Sequence, residues 1–108
     1  MHRAQANSDI YHAIADPTRR AILDRLRSSG PAPVNTILRD FPQSRPAISR
    51  HLRVLREARV VVEQRVGRER VYRIRAEELQ RVAQWIDAYR SFWQTSLDAL
   101  KKHLEAKK

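Results

Sequence analysis

The chain has 108 residues, with 22 Lys+Arg against 12 Asp+Glu and a formal net charge of +10. That allows one domain with one modest core and points to an anionic partner, nucleic acid before a membrane surface. Cysteine is absent, which removes disulfides, thiolate metal sites and cysteine nucleophiles together, and the two glycines form no phosphate-binding loop. No apolar run approaches the roughly 18 residues that span a bilayer, and the opening MHRAQANSD lacks the apolar segment of a signal peptide. A cytoplasmic protein with no membrane partner is expected.

Residues 1–7 are polar. Asn7 or Ser8 offers a cap to a first short helix carrying Ile10, Tyr11, Ile14 and Ala15 on its inner side. His12 beside them reads as a solvated or hydrogen-bonded side chain, not a ligand. Asp16-Pro17 then opens a second helix: the aspartate caps, the proline takes the first helical position, and the macrodipole favours the carboxylate there. This helix runs through Thr18 to about Ser28 and buries Ile22, Leu23 and Leu26. Arg19, Arg20, Arg25 and Arg27 fall off that face, as solvated charges or partners of acidic neighbours such as Asp24. Ser29-Gly30-Pro31-Ala32-Pro33 reads as a loop. A third, short helix follows with Val34, Ile37, Leu38 and Phe41 inward.

Phe41-Pro42-Gln43 turns the chain into Ser44–Ala58, SRPAISRHLRVLREA, around which the sequence is organised. Ser44 caps this helix and Pro46 sits in its first turn, where no N–H is missed. Ile48, Leu52 and Leu55 make one apolar face; Arg45, Ser49, Arg50 and Arg53 lie opposite, with Pro46 at the leading end. Two short helices joined by about three residues make a helix-turn-helix, whose second helix meets base edges and phosphates. Asn35, Thr36 and Gln43 would sit where the first of the two crosses the sugar–phosphate backbone. The competing reading is a solvated arginine face with ordinary turn chemistry.

After Ala58, Val60-Val61-Val62 and Val71-Tyr72-Arg73-Ile74 flank a segment containing Gly67, the pattern of a β-hairpin. Val60, Val62, Tyr72 and Ile74 are expected to face the core, leaving Arg65, Arg68 and Arg70 on an exposed arm, a wing able to grip phosphates or enter a minor groove. Residues 76–108 contain neither glycine nor proline and read as one long helix. Leu79, Val82, Ile86, Tyr89, Trp93, Leu97, Leu100 and Leu104 recur three or four apart, thickened by Trp85 and Phe92. That seam is longer than a domain this size needs for its own core, and a homodimer is the expected use of the remainder.

In that order, the elements resemble a winged-helix repressor of the ArsR family, over nearly everything from Asp9 to Leu104. The most specific segments are ADPTRRAIL from Ala15 to Leu23, PAISRHLRVLREA from Pro46 to Ala58, and Tyr72-Arg73-Ile74 in the wing. The resemblance implies a mainly α fold with a small β-hairpin, in which residues 1–108 form one winged-helix domain. It implies a dimer on an operator in double-stranded DNA, with the helix from Ser44 in the major groove. It also implies that the first and last helices, residues 8–15 and 76–105, make the dimer interface, the first through Ile10 and Ile14. Two departures stand out: family members often carry glycine where Arg59 and Pro42 stand. Metal-sensing members use cysteines near the recognition helix or paired Asp/His ligands on the terminal helix. Here there is no cysteine, and Asp98, His103 and Glu105 do not match that spacing. His51 is expected to be packed and hydrogen-bonded. The chain therefore resembles the metal-independent branch, with no cofactor, acting as a repressor or autorepressor. The alternative is a basic structural protein that coats nucleic acid without sequence preference. An enzyme is not expected, because neither His12 nor His51 has a nucleophile, an orienting partner or a carboxylate pair beside it in the pattern.

Overall fold

The structure, a computed structural model, describes residues 9–107. Its elements run α1 (Ile10–Ile14), α2 (Pro17–Ser29), β1 (Ala32–Pro33), α3 (Val34–Asp40), α4 (Arg45–Glu57), β2 (Val61–Val66), β3 (Glu69–Ile74), α5 (Glu77–Asp87) and α6 (Arg90–Ala106). The caps expected at Asn7 or Ser8 lie outside the described residues; Asp9 caps α1, its carboxylate accepting from the Tyr11 N–H at 3.3 Å.

Helix α1 has only 5 residues and is too short to persist by itself. Two arginines of α2 complete it. Arg19 Nε donates to the Ala13 carbonyl at 2.7 Å, Arg19 Nη2 to the His12 carbonyl at 3.0 Å, and Arg20 Nη1 to the Ile14 carbonyl at 2.8 Å. The last carbonyls of a helix have no partner within it, and cations suit that negative end of the dipole. Arg19 and Arg20 are therefore helix-capping groups, not the solvated or acid-paired charges expected. Arg25 does pair with an acid, but with Asp40 rather than Asp24, at 2.6 and 2.8 Å, which ties α2 to the end of α3.

The core gathers Ile22, Leu23 and Leu26 from α2, Ile37 from α3, Ile48, Leu52 and Leu55 from α4, and Val60, Val61 and Tyr72 from the hairpin region. Ile10 and Ala13 of α1 belong to it too: Ile10 is only 1% exposed. Ile10 is thus a core residue of its own protomer, which corrects its expected place at a dimer surface, and Ile14 is half-buried against the same core. The strands form an antiparallel sheet in the order β1-β3-β2, with Ala32 opposite Tyr72 and Glu63 opposite Tyr72 on the other side. The two-residue β1 falls in what reads as loop, and its proline is tolerated because β1 is an edge strand.

Helix α4 ends on a left-handed residue. Arg59 has φ 63°, the Val60 N–H reaches the Leu55 carbonyl at 3.1 Å, and the Arg59 N–H reaches the Arg56 carbonyl at 2.9 Å. This is the Schellman pattern, with the expected hydrophobic contact made by buried Val60 and Leu55. Val60 is therefore buried as part of the helix stop, and the strand alternation starts one residue later. Val61 faces the core, and Val62, expected there, is only half-buried. The hairpin closes on Gly67-Arg68, with Gly67 at φ 64° in the first central position, where a two-residue turn needs a residue free of Cβ.

A non-glycine residue in the left-handed region carries strain of about 1–2 kcal/mol, of which glycine's greater freedom in the unfolded chain takes back about 0.4–1. Arg59→Gly should therefore stabilise the protein by about 0.5–1 kcal/mol, a rise of a few degrees in melting temperature. A calorimetric or CD melt that is unchanged or lower would contradict this account of the helix stop.

The C-terminal segment is helical throughout its length but is two helices rather than one. At Ala88-Tyr89 the backbone tightens: the Tyr89 N–H bonds the Ile86 carbonyl at 2.9 Å and the Phe92 N–H the Tyr89 carbonyl at 3.0 Å, both three residues back. Leu79 and Val82 pack against the core, while no residue of α5 or α6 is fully buried. The radius of gyration, 18.4 Å, well exceeds the ~13 Å of a compact chain this long, because α6, with no buried residue, extends beyond the core on which α5 packs.

Candidate nucleic-acid interface

Helix α4 is placed by its buried face and its start. Ile48, Leu52 and Leu55 are at most 1% exposed, while the Ser44 hydroxyl accepts from the Ala47 N–H at 3.3 Å and Pro46 lies in the first turn. With that face fixed, Arg45, Pro46, Ser49, Arg50, Arg53 and Arg56 all point outward. The preceding turn is tied down by Gln43, whose Nε2 donates to Thr18 Oγ1 at 3.0 Å; Thr36 is half-buried, its hydroxyl 3.5 Å from Arg39 Nη2.

One further tie fixes α4 against the first two helices. Arg19 Nη1 lies 3.3 Å from His51 Nδ1, and the Asp16 carboxylate lies 3.9 Å from the same nitrogen. His51 is thus hydrogen-bonded within the helix packing, as expected. The Asp16 carboxyl is held below its ordinary range, first by the Arg19 backbone N–H it accepts from and further by the nearby His51 and Arg19, against the opposing effect of burial. The ADPTRR segment therefore caps α2, completes α1 and positions α4 together.

Between α4 and the wing lies a polar cleft lined by Pro46, Ser49, Arg50, Arg53 and Arg56 on one side and by Arg70 and Tyr72 on the other. Of the residues singled out in the sequence, Pro46, Ser49, Arg50, Arg53 and Arg70 come together here. Ser44 and Arg45 stand at the leading end of α4, Thr36 lies on α3 and Gln43 in the turn before α4, bonded to Thr18, and Arg65 and Arg68 lie farther out on the hairpin. Arg65 faces Arg70 directly across the strands, a like-charge pair that an anion between them would relieve. Among the described residues none of Arg45, Arg50, Arg53, Arg65 or Arg68 is ion-paired with a carboxylate.

Sequence reasoning missed one member, Arg56, and the carboxylate behind the lining that holds it, Glu63. Arg56 continues the step from Arg50 to Arg53 along the same face, and that spacing was sufficient to find it. Glu63 is visible only once the register is known. Its Oε2 accepts from the Tyr72 hydroxyl at 2.7 Å and lies 3.2 Å from Arg56 Nη1 and 3.7 Å from Arg70 Nη1. The Tyr72 hydrogen bond, then Arg70 and Arg56, hold the Glu63 carboxyl below its ordinary range against the effect of burial; burial and the adjacent carboxylate push the Tyr72 phenol up. Among the described residues no three His, Asp or Glu side chains group as metal ligands, and no helix is long and apolar enough to cross a membrane.

A cationic helix seated behind a short turn, with a two-stranded arm beside it, is the winged helix-turn-helix of DNA-binding transcriptional regulators. A family model described as a helix-turn-helix domain matches residues 14–64. The chain is 50% identical over 64 residues, 59% of each chain, to the HTH-type transcriptional regulator Rv2034 of Mycobacterium tuberculosis. To the transcriptional repressor SdpR of Bacillus subtilis it is 37% identical over 79 residues, 73% of this chain and 87% of that one. A crystal structure of an ArsR family transcriptional regulator superposes with a TM-score of 0.69 at 30% identity, covering 87% of this chain and 94% of that one. The chain belongs to the ArsR family of transcriptional regulators, a non-enzymatic class. At Arg59, where the resemblance leads to the expectation of a glycine, the backbone is left-handed.

Proposed function

We propose that the protein is a homodimeric, metal-independent repressor that recognises a dyad operator in double-stranded DNA and blocks transcription by occupying it. The observation that carries this reading is the cleft in which the exposed arginines of α4 face the wing. Helix α4 enters the major groove, where Ser49 and Arg50 meet base edges and Arg45 and Arg53 meet flanking phosphates. Arg65, Arg68 and Arg70 of the wing take the adjacent backbone or a narrow minor groove. Thr36, Gln43, Ser44 and Pro46 set the approach of the leading end.

Dimerisation is supported by the apolar surface that the protomer leaves uncovered. Ile86, Tyr89, Trp93, Leu97 and Leu100 are exposed on α5–α6, and Trp85 and Phe92 extend the patch. Tyr11 of α1 continues it, stacking edge-on against Trp85 at 6.0 Å. Contiguous apolar patches of this kind mark interaction surfaces, and a two-fold axis lets one such stripe cover its own copy. Val82 and Ile14, half-buried against the protomer's own core, would contribute what they leave exposed. A dimer of this kind acts in the cytoplasm with no membrane partner.

Selection of bound sequences from a random DNA pool tests the proposal. A two-fold motif should emerge and bind about a thousandfold or more above scrambled DNA. Chelator should leave operator affinity unchanged within tenfold, since no thiolate is present and no ligand cluster stands among the described residues to hold a metal. Failure to enrich any motif would point instead to charge-driven coating of nucleic acid. A stoichiometric metal that shifts affinity more than tenfold would overturn the metal-independent part.

A further inference from the structure

One carboxylate stands just outside the cleft, in the neighbouring groove, and reaches three of the side chains that line the cleft. Glu63 lies opposite Tyr72 in the β2–β3 register, and its Oε2 gathers the Tyr72 hydroxyl at 2.7 Å, Arg56 Nη1 at 3.2 Å and Arg70 Nη1 at 3.7 Å. Arg56 belongs to α4 and Arg70 to the wing, so a single oxygen joins the two elements that face DNA. Tyr72 is itself only 3% exposed and has its hydroxyl aimed at that oxygen, which makes the carboxylate a built support behind the cleft's lining and not a stray surface charge. Other arginines on the same surface, Arg50 and Arg53 among them, have no carboxylate partner among the described residues. The two that Glu63 holds are the two that bridge helix and wing.

We infer that Glu63 is a specificity-determining positioning residue, an internal anion that fixes Arg56 and Arg70 across the cleft and withholds their charge from nonspecific DNA. Nonspecific affinity grows with the number of phosphates that the protein neutralises, so an acid that occupies two arginines lowers it. Operator binding depends in addition on base-edge contacts from α4, which Glu63 does not touch. Its presence therefore suppresses the background more than the signal. This inference rests on the reading of α4 and the wing as the DNA-binding surface.

Glu63→Gln keeps an acceptor for the Tyr72 hydroxyl and removes the charge. On scrambled DNA the full-length variant should bind about threefold to tenfold more tightly at 0.1 M salt, with the log–log salt slope steeper by about 0.9 for each additional phosphate that the freed arginines neutralise. Operator affinity should rise less, so the specificity ratio falls. Glu69→Gln, which removes the same charge from the start of β3 outside the cleft, should change the slope less. An unchanged or shallower slope in Glu63→Gln, or an equal effect from Glu69→Gln, overturns the inference. A second comparison stands even if Glu63→Gln folds poorly: Arg56→Gln should flatten the salt slope less than Arg53→Gln, because Arg56 is already held. Equal flattening overturns the inference as well. If the unaltered protein shows no sequence preference, it is the regulator reading that fails, a result separate from either comparison.

Discussion

Trp93→Glu or Leu97→Glu should convert the protein to a monomer and reduce operator affinity by two orders of magnitude or more. Trp93 is 44% and Leu97 56% exposed in the protomer, so neither is needed for the core around Ile22, Ile48 and Leu55. Burying a large apolar side chain contributes about 1.5–3 kcal/mol, and a two-fold axis counts each substitution twice. Losing both copies from an interface therefore costs about 3–6 kcal/mol, which is roughly two to four decades in the dimer dissociation constant. Bringing a glutamate into the same site adds its desolvation. Sedimentation velocity at micromolar concentration should show the dimer shift to monomer. The thermal transition of the winged core should persist, which separates this effect from misfolding. If the unaltered protein sediments as a monomer and binds DNA as one, the α5–α6 stripe has another purpose. If either variant remains a dimer, the interface lies elsewhere.

What the sequence disclosed and what it concealed follow one physical division. Features set by neighbours along the chain were legible. Asp16-Pro17 and Ser44-Arg45-Pro46 open α2 and α4 where the caps predict, and Ile48, Leu52 and Leu55 form the buried face that their spacing implies. Features set by neighbours in space were not. Ala32-Pro33 becomes a strand only because β3 lies beside it. Arg19 and Arg20 cap the end of α1 and hold it on α2, a reach across six residues that no local pattern announces. Val61 replaces Val62 as the inward residue because the helix stop at Arg59 consumes Val60. The break at Ala88-Tyr89 has no glycine or proline to mark it.

The same division applies to the site. The exposed face of α4 could be read from periodicity, and so could the existence of a charged hairpin. Which arginine meets which could not. Arg70 falls within the cleft while Arg68 stays at the turn, a difference set by the register of Val66 opposite Glu69. A carboxylate at Glu63 would pass for ordinary strand polarity until the hairpin is closed and Tyr72 stands opposite it.

That spatial separation yields the sharpest test of the proposed function. Arg50 lies on α4 within the cleft and Arg68 on the hairpin turn, so the two should fail differently. One good bidentate contact to a base discriminates by about 1–3 kcal/mol, roughly five- to 150-fold per half-site. Arg50→Ala should therefore weaken operator binding while sparing most nonspecific binding, and the specificity ratio should contract. Arg68→Ala should weaken both more evenly and flatten the salt dependence by about 0.9 in logarithmic slope for each phosphate it no longer neutralises. Because a dimer carries every substitution twice, both effects should double on an operator with two half-sites. Footprinting should show those half-sites related by a dyad and about one helical turn, or a multiple of it, apart. Titrations across a salt series on operator and scrambled DNA measure all of these quantities together. Should Arg50→Ala leave the specificity ratio intact, α4 is not the base reader, and the arrangement proposed for this surface is wrong.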